Sequence, residues 1–229
     1  MYFNMGKENI IKAVIFDMDG VLVNTEPLHF RCWKKVFGDE GIDLDYDIYK
    51  PCIGSTMTFL LQLIRDNYGK IFQDKQVIFD RMAAEKDRLI REEGYPKLPG
   101  LVETVRKLHE EGYVLAVASS SPMRHIDQAL RELGIGDCFT VKVSGENVAH
   151  PKPAPDTFLI AAEKLGVMPK DCLVVEDSTN GGKAAAAAGM DCVWFRNPDS
   201  GEQSIPQTVL ELTSWEGDAA GKVLELLRK

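Results

Sequence analysis

Two carboxylates one residue apart, Asp17 and Asp19, form the most chemically suggestive pattern in the sequence, and Gly20 follows them directly. They come after a short apolar run at residues 13–16, which is typical of a strand buried on both faces. Open parallel sheets place their ligands at the carboxyl ends of strands, where Asp17 is expected to emerge. Two acids so close repel each other unless a cation or a shared proton holds them. We therefore interpret the pair as a site rather than as a turn in which one Asp caps a helix.

Polar side chains also follow two other predicted strands. Ser119 comes after the apolar run at 114–118, and Glu176 and Asp177 come after the run at 172–175. Because the carboxyl ends of parallel strands lie at one edge of a sheet, all of these side chains should meet the first two acids in a single crevice. Four carboxylates in one cleft need a hard cation, and Mg²⁺ takes oxygen ligands.

Donors suited to a phosphate are found nearby in the sequence. Ser119, Ser120 and Ser121 offer hydroxyls and backbone N–H groups to an anionic oxygen, although they could equally cap a helix ahead of Pro122. Lys152 lies in the stiff segment HPKPAPD, and its point charge suits a phosphoryl group. Together these groups indicate phosphoryl transfer, which relies on positioning and charge neutralisation. A carboxylate can itself be the nucleophile and form an aspartyl phosphate.

Alternating strand and helix patterns after residue 99 predict an α/β fold with a parallel sheet. Two further strands are predicted at 141–143 and 192–195, which makes five in all. Residues 27–95 show only helical stripes, so we interpret them as an all-helical insertion after the first strand. The predicted domains are a core of residues 1–26 and 96–229 and a helical cap of residues 27–95.

Composition excludes several classes of protein. A net charge of −8 argues against binding to a nucleic-acid backbone. The five cysteines are scattered without a C-x-x-C pair, as in a reducing cytosol. No run is long and apolar enough to cross a membrane, and the opening segment lacks the features of a signal peptide. We expect a cytoplasmic monomer that acts on a small phosphorylated molecule, with no nucleic-acid or membrane partner.

Four segments in order resemble the motifs of a known family. They are DMDGVLVNTE, the strand-terminal Ser119, the lysine of HPKPAPD, and VVEDSTNGGKAAAAAG. Together they resemble the haloacid dehalogenase superfamily, closest to the subgroup that includes β-phosphoglucomutases and sugar-phosphate phosphatases. The resemblance covers nearly the whole chain. It implies a Rossmann-like parallel-sheet core with an inserted helical cap.

The resemblance also implies roles for individual residues. Asp17 would be the nucleophile, and Asp19 the general acid and then the general base. The implied Mg²⁺ ligands are the carboxylates of Asp17 and Asp177, the backbone carbonyl of Asp19, and Glu176 either directly or through water. The implied phosphoryl ligands are Ser119, Lys152 and the backbone N–H of Ser120. Dehalogenases of the superfamily lack the second aspartate and the metal, so Asp19 argues against dehalogenation.

Two residues of the predicted cap are further candidates. Lys86 falls on the apolar stripe of its helix, and it matches a substrate-facing lysine of the mutases; it could also be a side chain that extends to solvent at the helix edge. His29 matches a mutase histidine, yet a lone histidine is more often a packing or hinge residue. Both stay open as substrate or cap residues.

Three functions remain in competition at this point. A mutase needs a second anion site in the cap, and a pairing through Gly54 puts Met57 where the mutases have an arginine; this favours a phosphatase that hydrolyses a sugar phosphate. The alternative is a β-phosphoglucomutase-type phosphosugar mutase. A phospho-accepting receiver domain of the signalling class has similar residues, but residues 27–95 count against it because receivers have no cap.

Overall fold

The computed structural model describes residues 12–205 and 207–228. The strands are β1 (Ala13–Phe16), β2 (Val114–Ser119), β3 (Phe139–Ser144), β4 (Cys172–Glu176), β5 (Asp191–Phe195) and β6 (Thr208–Leu212). The helices are α1 (Glu26–Gly38), α2 (Tyr46–Tyr49), α3 (Met57–Tyr68), α4 (Lys75–Glu93), α5 (Leu101–Glu110), α6 (Met123–Leu133), α7 (Asp156–Leu165), α8 (Thr179–Ala187) and α9 (Ala219–Leu227). Residues 1–11 lie outside the described residues. The expectation of no signal peptide and the predicted start of the core domain both concern this segment.

Within the described ranges, the strands form one parallel sheet in the order β3-β2-β1-β4-β5-β6. The first strand in sequence therefore lies in the interior of the sheet, with Ala13 opposite both Val114 and Cys172. The predicted α/β class with a Rossmann-like parallel sheet is confirmed. The five predicted strands are all present, and β2 and β4 extend one residue further to include Ser119 and Glu176.

Both faces of the sheet are covered by helices. Val14 and Phe16 point into one hydrophobic cluster, while Ala13 and Ile15 point into another on the opposite face. The first cluster includes residues of α5, α6 and α9, and the second includes residues of α7 and α8. Burial on both faces explains why β1 is a continuous apolar run without alternation.

The sixth strand, β6, was not predicted from the sequence. Its residues TVLEL alternate between partly exposed, exposed and buried positions, and it lies at the edge of the sheet beside β5. A short edge strand with two exposed positions, one of them a glutamate, has only a weak signature against the surrounding loop.

Residues 27–95 are helical without a strand, as predicted. The middle of this segment has its own hydrophobic cluster, built around Trp33, Phe37, Leu44 and Ile64. The start of α1 and the end of α4 pack instead into the cluster on the sheet, through residues such as Leu28 and Ile90. We refer to residues 27–95 as the helical segment and retain the division into core and cap domains as a proposal.

The structure describes the helices and the cysteines on which two expectations about the chain's environment depend. None of the helices in the described ranges has the length and apolar character needed to span a membrane. The five cysteines are all buried and free.

Candidate active site

Asp17 directly follows β1 and is buried. Its backbone N–H donates to the Val175 carbonyl of β4 at 3.0 Å, so the sheet still holds this first residue beyond the strand. The chain then turns at Gly20, whose φ is +83°. A Cβ on Gly20 would lie 2.0 Å from Oδ2 of Asp177. Glycine is therefore required at this position both by the backbone conformation and by the close approach of the Asp177 carboxylate.

Lys152 joins two of the acids. Its Nζ donates to Oδ1 of Asp17 at 2.6 Å, to Oε1 of Glu176 at 2.9 Å and to the Ala118 carbonyl at 3.1 Å. The ammonium also lies 4.4 Å from the ring centroid of Phe158. Burial alone would lower the pKa of Lys152, but the two carboxylates outweigh it and raise that pKa above its ordinary value. The lysine is thus a fixed positive charge beside Asp17.

Glu176 has protein donors on both carboxylate oxygens. Oε2 accepts from the backbone N–H groups of Asp177 and Ser178 and from the Ser178 hydroxyl, and Oε1 accepts from Lys152. A Cβ at Gly181 would lie 1.6 Å from Oε1, so the glycine pair at the start of α8 lets the helix approach this carboxylate. Glu176 is therefore held in one orientation by the turn that follows β4.

Asp17, Glu176 and Asp177 form a buried acidic cluster. Each offers a carboxylate oxygen, and these oxygens all lie within 4.8 Å of one another. Burial raises the pKa of Asp17 to about 7, with the neighbouring carboxylates adding to the effect and Lys152 opposing it. Burial raises the pKa of Asp177 well above its ordinary value, and the charges of Glu176 and Asp17 add to the effect. When all three are ionised, the charge of these buried carboxylates exceeds that of the single lysine, and an oxygen-liganded cation fits this set.

Asp19 is not part of that cluster. Its Oδ1 accepts from the Thr25 hydroxyl at 2.7 Å and from Lys86 at 3.4 Å, and its Oδ2 accepts from the Ser121 hydroxyl at 2.6 Å. Burial opposes ionisation, but Lys86, His29 and the two hydroxyls outweigh it and hold the pKa of Asp19 well below its usual range. The carboxyl is therefore ionised in this arrangement. That state suits a base, whereas the acid role implied by the resemblance needs a proton.

The serines after β2 do not cap α6. That helix has Pro122 as its N-terminal cap and no side-chain capping bond. Instead, the Ser119 hydroxyl accepts from the Ser121 N–H at 3.0 Å, inside a buried turn. Ser119 and Ser120 both line the cavity that contains the acidic cluster. The capping interpretation of these serines is therefore wrong.

This catalytic cavity has a volume of 280 Å³. The sequence-predicted residues that line it are Asp17, Asp19, Ser119, Ser120, Lys152, Glu176 and Asp177. Side chains from the ends of β1, β2 and β4 and from the loop before α7 thus meet in one place. The prediction that residues at these three strand ends meet in one crevice is confirmed, and Lys152 joins them from the loop before α7.

The two candidates of the helical segment lie beside this cavity. Lys86 of α4 is buried and reaches Asp19, so it does not extend to solvent. His29 of α1 lies with its Nδ1 3.6 Å from a carboxylate oxygen of Glu26. His29 lines a second pocket rather than the catalytic cavity. Of these two candidates, only Lys86 is hydrogen-bonded to a predicted catalytic acid, Asp19.

Sequence reasoning missed the loop that follows β5. The Ser200 hydroxyl donates to Oδ2 of Asp177. Gln203 accepts from the Thr179 N–H at 2.9 Å and donates to the Ile53 carbonyl at 3.3 Å, so it joins the start of α8 to the helical segment. No motif marked these residues. Their only signal was their position after a strand of the sheet, the same signal that identified the acids.

Comparison with known proteins identifies the family. The family model for haloacid dehalogenase-like hydrolases matches residues 11–189. The chain belongs to this family. Fructose-1-phosphate phosphatase YqaB of Escherichia coli is 36% identical over 184 residues, which is 80% of this chain and 96% of that protein. Hexitol phosphatase B of Escherichia coli is 33% identical over 201 residues, which is 87% of this chain and 89% of that protein.

A solved structure extends the likeness to the fold. The β-phosphoglucomutase of Clostridium difficile superposes with a TM-score of 0.74 at 25% identity, covering 95% of this chain and 97% of that one. The predicted membership of the haloacid dehalogenase superfamily, in the subgroup of β-phosphoglucomutases and sugar-phosphate phosphatases, is confirmed. The chain is an enzyme of this hydrolase family, which leaves the receiver-domain alternative without support.

Proposed function

We propose that the protein is a Mg²⁺-dependent phosphatase that hydrolyses a small phosphorylated carbohydrate through an aspartyl phosphate on Asp17. The observation that carries the proposal is the contact of Lys152 with both Asp17 and Glu176 inside the acidic cluster. The relatives named as fructose-1-phosphate and hexitol phosphatases support the substrate class. The five free, buried thiols agree with a cytoplasmic location, which we retain in the proposal together with a monomeric state.

Phosphate binding is assigned to the donors around the cavity. Lys152 is a buried ammonium in contact with Asp17 and Glu176, and its charge would offset that of a phosphoryl group bound at Asp17. Ser119 and Ser120 also line the cavity, and we assign the Ser119 hydroxyl and the backbone N–H of Ser120 to the phosphoryl oxygens. These groups would hold the substrate phosphorus within reach of the free oxygen of Asp17, because Oδ1 is already held by Lys152.

The fit of the acidic cluster supports a divalent cation. The carboxylates of Asp17 and Asp177 and the backbone carbonyl of Asp19 would hold Mg²⁺. The Glu176 carboxylate would complete the protein ligands, either directly or through a water molecule. When bound, the ion supplies positive charge that offsets the repulsion between the carboxylates and the phosphate. Ser200 keeps the Asp177 carboxylate in position through its hydroxyl.

The reaction divides into two displacements at phosphorus. In the first, a carboxylate oxygen of Asp17 forms a bond to phosphorus while the bond to the sugar oxygen breaks, and that oxygen takes a proton. In the second, water attacks the aspartyl phosphate, loses a proton to Asp19, and releases inorganic phosphate and free Asp17. The ionised state of Asp19 suits this second step. The first step requires that Asp19 gain a proton, and the negative charge of an arriving phosphate favours that gain.

A phosphosugar mutase is the second candidate, and it is favoured by the likeness to the β-phosphoglucomutase structure and by the contact of Lys86 with Asp19. The two functions differ in what attacks the phosphoenzyme. Incubation with β-glucose 1-phosphate and a trace of the 1,6-bisphosphate separates them: a phosphatase releases inorganic phosphate, whereas a mutase yields glucose 6-phosphate. Predominant formation of glucose 6-phosphate would overturn the phosphatase proposal.

A further inference from the structure

The pocket beside the catalytic cavity carries information about the leaving group. We propose that this pocket takes an uncharged, hydroxyl-bearing leaving group with an apolar face and discriminates against one that carries a second anion. The inference rests on the proposed phosphatase function, because it assigns the part of the substrate that remains after phosphate is removed. It concerns the selection among phosphate esters and not the chemistry at phosphorus.

The pocket adjoins the catalytic cavity and lies within the helical segment. It has a volume of 200 Å³. Four residues line both spaces: Glu26, Ile53, Gly54 and Ser55. A phosphate ester bound with its phosphorus at Asp17 therefore has this pocket as the neighbouring space for the rest of the molecule.

Aromatic and thioether side chains make up much of the apolar part of the pocket wall, which is about half of its surface. Trp33, Tyr49 and Phe79 contribute rings, and Met57 and Met82 contribute thioether chains. One face of a sugar ring or an extended polyol consists of C–H groups, and these pack against rings and thioethers. A charged group against the same wall would lose its water without gaining a partner.

The polar groups of the wall are placed to serve hydroxyls. Glu26 is half-buried between the two spaces and lies 3.6 Å from His29. Its carboxylate accepts hydrogen bonds from hydroxyl groups, and Ser55 and Thr56 add further hydroxyls to the wall. For a second phosphate or a carboxylate, however, the charge of Glu26 is repulsive.

Cations that could bind a second anion are directed elsewhere. No lysine or arginine lines this pocket among the residues that the structure describes. Lys86 lies against Asp19, and Arg81 pairs with Glu40 at 2.7 Å. The imidazole of His29 already has the Glu26 carboxylate as its neighbour. The wall thus offers an anion no unengaged positive charge.

The test compares two esters that share one carbon skeleton. Sorbitol 6-phosphate ends in a hydroxymethyl group at the carbon where 6-phosphogluconate has a carboxylate. We expect kcat/KM to be higher for sorbitol 6-phosphate by at least about tenfold. Binding of both esters to the Asp17→Asn protein, measured by calorimetry, should show the same preference without any turnover.

Two variants localise the effect to this pocket. Met57→Lys adds a cation to the wall and should raise the relative kcat/KM for 6-phosphogluconate at least about fivefold, because the new charge offsets the loss of hydration. Met57→Leu, of similar volume and likewise apolar, should leave the ratio unchanged. The ratio is internal to each protein, so a partial loss of folded enzyme does not alter it.

The possible failures are distinguishable. Equal or better use of 6-phosphogluconate by the unaltered enzyme overturns this inference, as does a failure of the Asp17→Asn protein to bind either ester. Selective binding of sorbitol 6-phosphate with no phosphate release by the unaltered enzyme supports the pocket assignment and overturns the phosphatase function instead.

Discussion

Lys86 of α4 lies with its Nζ 3.4 Å from Oδ1 of Asp19, so a residue of the helical segment contacts a predicted catalytic acid at the end of β1. Both side chains are largely buried, with exposed fractions of 11% and 19%. Movement of the helical segment away from the sheet would remove this charge from Asp19. The contact thus couples the position of the segment to the protonation of the acid.

Replacement of Lys86 tests that coupling. Lys86→Met removes a positive charge that lowers the pKa of Asp19, so this pKa should rise. If the ionised carboxylate is the base for water, the acidic limb of the kcat profile should therefore move to higher pH. Lys75→Met, an exposed position on the same helix, is the control and should change neither quantity. An unchanged acidic limb in Lys86→Met would contradict the coupling.

Metal binding should depend on pH in a defined direction. Without a cation, the folded state holds the proton on Asp17 up to about pH 7, against an ordinary value of 3.8. The folded state then binds more protons than the unfolded state between these values, so stability falls as pH rises through that window. Mg²⁺ must displace the proton. Its affinity and the rise it causes in thermal unfolding temperature should therefore both increase from pH 5 to pH 8.

The same measurement has a residue-specific control. Asp177→Asn should abolish the thermal shift caused by Mg²⁺, because it removes one of the three clustered carboxylates. Asp191→Asn, an exposed acid at the start of β5, should keep the shift. A shift of equal size in both variants would locate the cation elsewhere on the protein.

Gly20 allows separation of backbone strain from steric clash. Gly20→Ala and Gly41→Ala both place an alanine at positive φ, +83° and +80°, at a cost of about 1–2 kcal/mol each. A Cβ meets nothing within 4 Å at Gly41, whereas at Gly20 it meets Oδ2 of Asp177 at 2.0 Å. Gly20→Ala should lose about 1–3 kcal/mol more stability in urea unfolding, and it should also bind Mg²⁺ more weakly. Equal losses in the two variants would show that the clash is relieved without cost.

Strand-end placement explains how much of the site the sequence could predict. Asp17, Ser119, Glu176 and Asp177 each follow a β-branched apolar run, and the geometry of parallel sheets alone brings such positions together. Lys152 was found because prolines flank it. The environment of Asp19 could not be predicted, since its pKa depends on Thr25, Ser121 and Lys86, whose distances from it are set by packing.

The contacts made by the loop that follows β5 could not be predicted, for a related reason. Gln203 and Ser200 lie in a loop without periodicity, and their partners, Ile53 and Asp177, are far away in sequence. A hydrogen bond from a loop side chain to a distant backbone carbonyl leaves no local pattern. The edge strand β6 was not predicted because it is short and its exposed positions include a glutamate, as in loop sequence.

Gln203 should influence substrate capture more than chemistry. Gln203→Glu can retain the acceptor for the Thr179 N–H but lacks the amide donor to the carbonyls of Ile53 and Ser200. Loss of one such hydrogen bond is worth about 1 kcal/mol, so KM should rise severalfold with a smaller change in kcat. Gln207→Glu, nearby in sequence, is the control for added charge. A fall in kcat with KM unchanged would indicate that Gln203 acts on the chemical step instead.

The central claim is that Asp17 accepts the phosphoryl group, and the most direct measurement is detection of the acyl phosphate itself. The enzyme is mixed with Mg²⁺ and a hexose phosphate, quenched within one turnover and reduced with borohydride, which converts an aspartyl phosphate into homoserine. Peptide mass spectrometry should find homoserine at position 17 and nowhere else, while Asp17→Asn protein should give none and release no phosphate. Phosphate release at an undiminished rate by Asp17→Asn, or homoserine at another aspartate, would contradict the account.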